Sequence, residues 1–364
     1  MKLDPLTRRR LSLFRANLRG FWSFWIFLAL FLISILAPLI ANDRPIVASY
    51  KGELLFPLMK DYPESKFGGF LAKTNFRDPV NYDEINANGW MIWPLVRYSY
   101  NTANQEIPAP APSRPAFLMT RDKACVKYPQ QAADAQCIAG NMNWLGTDDQ
   151  GRDVIARLIY GFRVSVAFGL LLTVISSVIG IAGGAVQGYF GGWTDLLFQR
   201  FIDIWQSVPT LYLLIILAAF ITPNFWLLLG ILVMFSWTHL VHVIRAEFLR
   251  ARNLEYVRAA RALGLSDAKI MFRHLLPNAT ISAVTFMPFI VAGSVTTLTA
   301  LDYLGYGLPP GSASLGELVQ QGKNNLQAPW LGISIFLLSS VMLTLLIFIG
   351  EAVRDALDPR KTFT

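Results

Sequence analysis

Residues 163–189 read RVSVAFGLLLTVISSVIGIAGGAVQGY. An apolar run of this length, wound as a helix, crosses a hydrocarbon core about 30 Å thick. Gly180, Gly184 and Gly188 recur every four residues. They therefore share one helix face, where a neighbouring backbone can approach closely. Ordinary helix packing and a tightly packed translocation helix both fit this pattern. Five further apolar runs, at 21–41, 204–221, 225–244, 281–304 and 331–350, have the same character. Pro209 and Pro288 fall inside the third and fifth spans and read as kinks, because neighbouring helices re-satisfy a proline-broken ladder in a membrane. The fold class is thus an all-α membrane protein with six transmembrane helices.

Composition agrees. Of 364 residues, 54% are hydrophobic and 15% charged, and the mean hydropathy is +0.41. Soluble domains carry about 25% charged residues. A soluble enzyme, a disordered chain and a disulfide-rich secreted module are excluded. The net charge is +8. Residues 42–162 hold 13 Lys/Arg and 13 Asp/Glu, so the whole excess lies in the segments flanking the spans. That placement argues against nucleic acid as a partner and for a bilayer.

Six spans place both termini on one side. The short segments there, 1–20, 190–203, 245–280 and 351–364, carry six, one, seven and three Lys/Arg. The positive-inside rule makes that side the cytoplasm, with both termini in it. The run at 21–41 is too long for a signal-peptide core and no small-x-small site follows it, so it reads as an uncleaved first span. The chain divides into a cytoplasmic tail and first helix (1–41), a large periplasmic insertion between helices 1 and 2 (42–161), and a five-helix core (162–364) with a cytoplasmic loop at 245–280.

The insertion contains a proline-rich extended stretch, IPAPAPSRP at 107–115, flanked by aromatics that include Trp90, Trp93, Phe117 and Trp144. These suffice for a small folded lid. Cys125 and Cys137 both lie there. A disulfide pair in an oxidising compartment and two free thiols are the alternatives.

The loop at 255–278 is the most informative. It reads EYVRAARALG at 255–264, LSDAKI at 265–270 and HLLPN at 274–278. The first piece is Ala-rich and suited to helix. Tyr256, Ala259, Ala260 and Leu263 follow helical spacing, Gly264 suits a helix C-cap, Ser266 an N-cap, and Pro277 an end to the second short helix. The result is a helix–glycine–helix elbow with small side chains on a projecting face. Insertion into a groove on a partner and an amphipathic hairpin on the membrane are both compatible with it.

The elbow resembles the coupling loop of ABC importer permeases, which docks onto the cytoplasmic ATPase. Arg258 stands where that family has Glu. Two further segments are similar to the peptide and nickel branch of the family. One is WLGTDDQGRD at 144–153 leading through RLIYG at 157–161. The other is LGYGLPP at 304–310 with Gly316, APW at 328–330 and RDALDPR at 354–360. Leu315 stands where that branch has Trp.

The resemblance implies a MetI-like permease subunit of the bacterial inner membrane, multi-pass, gating a path for short peptides, peptide-nucleotide antibiotics among them. It implies a homologous second permease, a periplasmic peptide-binding protein and cytoplasmic ABC ATPase subunits that bind ATP and Mg. Tyr256, Arg258, Ala259, Ala260, Leu263 and Gly264 would form the ATPase-coupling face. The chain itself holds no cofactor, catalytic residue or metal site in this reading. Its one Gly-Lys pair, Gly322-Lys323, is followed by Asn324 and lacks the upstream glycine of a phosphate loop.

Candidate path residues are Gln206 and Ser207 at the third span, and Thr285, Thr296 and Thr299 on the fifth. The three threonines share a helix face. Uncharged hydroxyls suit a peptide whose amides must stay hydrogen-bonded. Bonding to their own helix at i−4 is the competing role. His239 and His242, three apart, read as polar packing rather than as metal ligands. Asp302, near the outer end of span five, reads as a solvated or capping carboxylate. The rival functions are a permease for nickel or another small solute, a membrane-anchored periplasmic enzyme with its site in the insertion, and a receptor. The insertion contains no His, and no inner segment is large enough for an output domain.

Overall fold

The computed structural model describes residues 5–104, 110–119 and 142–358. Cys125 and Cys137 lie outside the described residues. Helix α1 (Pro5–Ala16) precedes α2 (Leu18–Ile35), the first span, which breaks at Leu36 before the short α3 (Ala37–Ile40). The insertion follows. Its described part contains strands β1 (Val47–Tyr50), β2 (Glu53–Leu55) and β3 (Gly89–Ile92) and helix α4 (Pro79–Ala87). The strands form an antiparallel sheet in the order β2–β1–β3, with Ala48 opposite both Leu55 and Met91. The sheet is confined to the insertion, where the sequence assigns no elements, and the spanning core is helical as expected. Three- and four-residue strands alternate too briefly to stand out against loop sequence.

The sheet is pinned by a small core of Ala48, Tyr50, Leu55, Phe67, Phe76 and Ile85. Beside it, the buried Glu64 carboxylate accepts bonds from Asn81 Nδ2 at 2.7 Å and the backbone N–H groups of Leu71 at 3.0 Å and Phe70 at 3.1 Å. These bonds, that from Asn81 foremost, hold its pKa below the ordinary value. A depressed carboxylate stabilises the fold fully above its unfolded pKa, about 4.3, and the contribution is lost as pH falls through the lower folded value. Amide protection at Phe70 and Leu71 is therefore expected to drop on acidification below about pH 4. Glu64→Gln should lack the protection already at neutral pH. Protection unchanged by acid in the wild type would remove the assignment.

The core follows as α5 (Val154–Phe190), α6 (Gly192–Gln206), α7 (Thr210–Ala218), α8 (Phe225–Ser236) and α9 (Thr238–Ala251). After these come α10 (Glu255–Ala262), α11 (Asp267–Ile270), a π-turn (Met271–Leu275), α12 (Leu276–Tyr303), α13 (Leu315–Asn324) and α14 (Pro329–Leu357). Among the described residues, five helical stretches are long and apolar enough to cross a bilayer, and α6 with α7 makes a sixth if that bent pair is one span.

Two proline readings change. Pro209 marks a break, not a kink: α6 ends at Gln206, α7 starts at Thr210, and their axes differ by 56°. Missing its N–H and restricting Val208, Pro209 separates an amphipathic helix from a wholly apolar one. Pro277 does not end a helix. The chain stays helical from Asp267 to Tyr303, because the π-turn before Pro277 widens the winding where its ring would meet a carbonyl. Pro288, as expected, lies inside a continuous α12.

The glycine face of α5 packs on α9. A Cβ on Gly180, Gly184 or Gly188 would sit 2.5, 2.7 and 2.6 Å from the carbonyl oxygens of Trp237, Val241 and Arg245. Backbone cannot yield as a side-chain tip can, so Gly184→Leu is expected to cost at least the 1–3 kcal/mol typical of overpacking. Loss of the folded permease on solubilisation would show it. A Gly184→Leu protein of normal thermal stability would contradict this packing.

Candidate functional site

The elbow is built on a buried face. Val257 and Ala260 pack with Ile244, Phe248, Ile270 and Leu275. Ala260 therefore points inward and not onto the projecting face. Tyr256, Arg258, Ala259, Leu263 and Gly264 are exposed, Leu263 at 82%. Gly264 has φ +76°, and among the described residues no atom beyond its chain neighbours lies within 4 Å of where its Cβ would be. Its N–H donates to Arg261 O at 2.9 Å, and that of Leu265 to Ala260 O at 3.2 Å. This pair of bonds is a Schellman motif, as the glycine suggested. Ser266 occupies the N-cap position of α11 without a side-chain capping bond.

Charge ties the elbow to the long helix. The Tyr189 hydroxyl donates to Asp267, and the Arg261 guanidinium lies 5.3 Å from the Tyr189 ring centroid. Arg252 donates to the carbonyls of Gly188 and Tyr189, in the last turn of α5. Arg245 holds Asp195 of α6 through two nitrogens. The elbow, α5, α6 and α9 thus meet at one end of the bundle.

At the other end of α5 the two branch-specific motifs meet. Arg152 donates to Asp148 at 2.7 Å and to Glu317 of α13 at 2.8 Å. Arg157 reaches Glu317 at 2.8 Å and Asp148 at 3.2 Å. Asp148 and Arg157 are wholly buried. Burial opposes the Arg152 charge, but Asp148 and Glu317 outweigh it and keep its pKa raised. Asp153 caps α5 through Ala156 N–H at 2.8 Å and accepts from Asn143 at 2.8 Å, while burial lifts its pKa to about 6. Trp330 Nε1 donates to Thr147 O at 3.3 Å, and Leu315 packs on Gly161. Spacing along the chain does not reveal this clasp, since Arg157 and Glu317 are far apart in sequence. The available signal was the density of charge at 148–157, just where an apolar span begins.

The path candidates are scattered. Thr285, Thr296 and Thr299 each donate to their own helix at i−4, at 3.0, 2.9 and 2.9 Å. Thr285 borders a cavity at the elbow end, whereas Thr296 and Thr299 border a separate, mostly apolar hollow between α12, α13 and α14. Gln206 and Ser207 are exposed at the α6–α7 break, and the Ser207 hydroxyl donates to Ile204 O at 2.6 Å. His239 borders a third hollow with Gly293 and Thr297. Asp302 is a capping carboxylate: it accepts from Leu308 N–H at 2.7 Å and from the Ser314 hydroxyl, fixing the turn that carries Glu317 into the clasp.

Comparison with known proteins fits this architecture. The family described as "Binding-protein-dependent transport system inner membrane component" matches residues 176–363. The chain is 64% identical, over 99% of its length and 94% of the relative's, to the "Peptidoglycan transport system permease protein YejE" of Agrobacterium fabrum. It is 52% identical, over 99% of both chains, to the "Inner membrane ABC transporter permease protein YejE" of Escherichia coli. Identity is 36% over 61% of this chain, and 76% of the relative, to the "Oligopeptide transport system permease protein OppC" of Lactococcus lactis. The chain therefore belongs to the inner membrane components of binding-protein-dependent transport systems, and is a multi-pass ABC transporter permease.

Proposed function

We propose that this chain is one of two homologous permeases enclosing a path for short peptides, including peptides released from peptidoglycan. The observation that carries the proposal is α5. It runs unbroken for 37 residues, about 55 Å, from the clasp to the carbonyls that Arg252 engages and the Tyr189 hydroxyl that bonds Asp267 of the elbow. A displacement of the elbow is thus delivered as a rigid-body movement to the opposite end of the bundle. In this reading ATPase subunits grip Tyr256, Arg258, Ala259, Leu263 and Gly264 in the cytoplasm, with Ala260 seating the elbow from beneath. A periplasmic binding protein delivers substrate to the insertion side. Bond-breaking belongs to the ATPases, which hold ATP and Mg, and this chain switches the path between its two openings.

Thr296 and Thr299, with Gln206 and Ser207, remain the candidate contacts for peptide amides. A threonine hydroxyl bonded to its own helix still offers acceptor capacity to a passing N–H. The experiment is uptake by the complete complex in proteoliposomes. ATP-dependent accumulation of a labelled tripeptide, competed by muropeptides, is the expected result. Accumulation of nickel with no peptide uptake would overturn the substrate class.

A further inference from the structure

We propose that the cavity beside the elbow binds an anionic phospholipid of the inner leaflet, with its phosphate between Arg10 and Arg354. The cavity has a volume of about 530 Å³ and lies between α1, α9, the elbow, the start of α12 and the end of α14. Its lining combines apolar and charged side chains. Leu275, Ala279, Ile281 and Leu357 supply apolar surface, and Arg10, Arg250 and Arg354 supply positive charge, in a volume of the order an acyl chain needs.

The arginines differ in what they have to hold. Arg250 pairs with Glu247 at 2.7 Å, and Glu247 also accepts from the Ser282 hydroxyl. Neither Arg10 nor Arg354 has an ion-pair partner among the described residues, and Arg10 Nε is buried with no hydrogen-bond partner. A guanidinium that lines the cavity without an ion-pair partner in the chain is the charge complement of an anion seated there. Two carboxylates face the same space, Glu247 and Asp358, and Asp358 has interactions of its own. Three guanidiniums against two carboxylates leave a positive surplus, raised further by the exposed Arg8 and Arg9 on the same turn of α1.

An arginine-rich amphipathic helix at the end of a spanning bundle, over a pocket lined by both arginines and apolar side chains, fits a lipid headgroup with its chain. A soluble phosphate would leave the apolar wall uncovered. Leu254 and Tyr256, where the elbow begins, border the same cavity, so the bound lipid packs against the elbow itself. The proposal rests on the reading that the elbow end is cytoplasmic. A cysteine at Leu263 labelled from the opposite side would defeat that reading without altering a count of bound lipid.

The test uses the full transporter complex with and without its ATPase subunits. It is delipidated, exposed to mixed phosphatidylglycerol and phosphatidylcholine, and weighed intact by native mass spectrometry. Wild type should retain phosphatidylglycerol selectively. Arg10→Gln with Arg354→Gln should reduce that retention roughly tenfold or more, with an unchanged thermal midpoint. The double lysine variant should keep most of it, since a point charge still serves a phosphate. Equal retention by wild type and the glutamine variant would overturn the site. Displacement by millimolar inorganic phosphate alone would make it a free-anion site, and displacement by the ATPase subunits would make it part of their docking surface. Either result defeats the lipid assignment.

Discussion

Replacing Glu317 with alanine is expected to give a permease that folds but is markedly less stable than the wild type. Among the described residues, Glu317 is the only acidic side chain that bridges Arg152 and Arg157 from another helix. Without it, two guanidiniums share Asp148 in a site where both arginines are at most 4% exposed. Removing one partner of a buried ionic group costs about 3–5 kcal/mol, and total stabilities are only about 5–15. Glu317 is 17% exposed, so water screens part of the loss and the lower end applies. About 3 kcal/mol corresponds to a fall in thermal midpoint of roughly 5–10 °C. The variant Arg157→Met with Glu317→Leu should recover most of this, because deleting charge and countercharge together leaves Arg152 paired with Asp148. A Glu317→Ala protein with the wild-type midpoint would show that the clasp does not hold α13 to α5.

Gly264→Asp is expected to abolish transport while leaving the permease folded and inserted. In the isolated chain the space around Gly264 is open. The fold therefore meets only the penalty of a side chain at φ +76°, on the order of 1–2 kcal/mol and less for Asp or Asn. A partner surface closed over Leu263 and Gly264 would have to admit a carboxylate into a packed groove, a far larger cost. ATP-driven peptide uptake should fall to background. Gly264→Asn is the control, since it shares the backbone strain without the charge, and its effect should be smaller. Uptake by Gly264→Asp at the wild-type rate would mean the elbow does not transmit force.

The spans, the glycine face of α5 and the C-cap at Gly264 were legible because each rests on local periodicity or one local conformation. The elbow's faces were only half legible. Successive helix residues are 100° apart, so Ala259 and Ala260 cannot share a face fully, and Val257 pulls Ala260 inward. A proline's outcome depends on what surrounds it. At Pro209 the chain changes from amphipathic to apolar and breaks, at Pro277 a π-turn absorbs the ring, and at Pro288 the helix continues. The clasp and the β-sheet were not legible, because each joins segments whose pairing is decided by tertiary packing. The threonines illustrate the same limit: spacing put them on one face, but α1 and α14 close the hollow at Thr285 while α13 and α14 close the one at Thr296 and Thr299, which spacing on α12 says nothing about.

The central claim is that force enters at 256–264 and leaves through α5. It is tested most directly by placing a cysteine at Ala259, in a chain with Cys125 and Cys137 replaced, and reacting the complete complex with a short bifunctional thiol reagent. The account predicts a cross-link to the ATPase subunit whose yield changes on adding ATP, and none from a cysteine at Phe70 in the insertion. An ATPase cross-link from Phe70 with none from Ala259, in a complex that still transports, would contradict it.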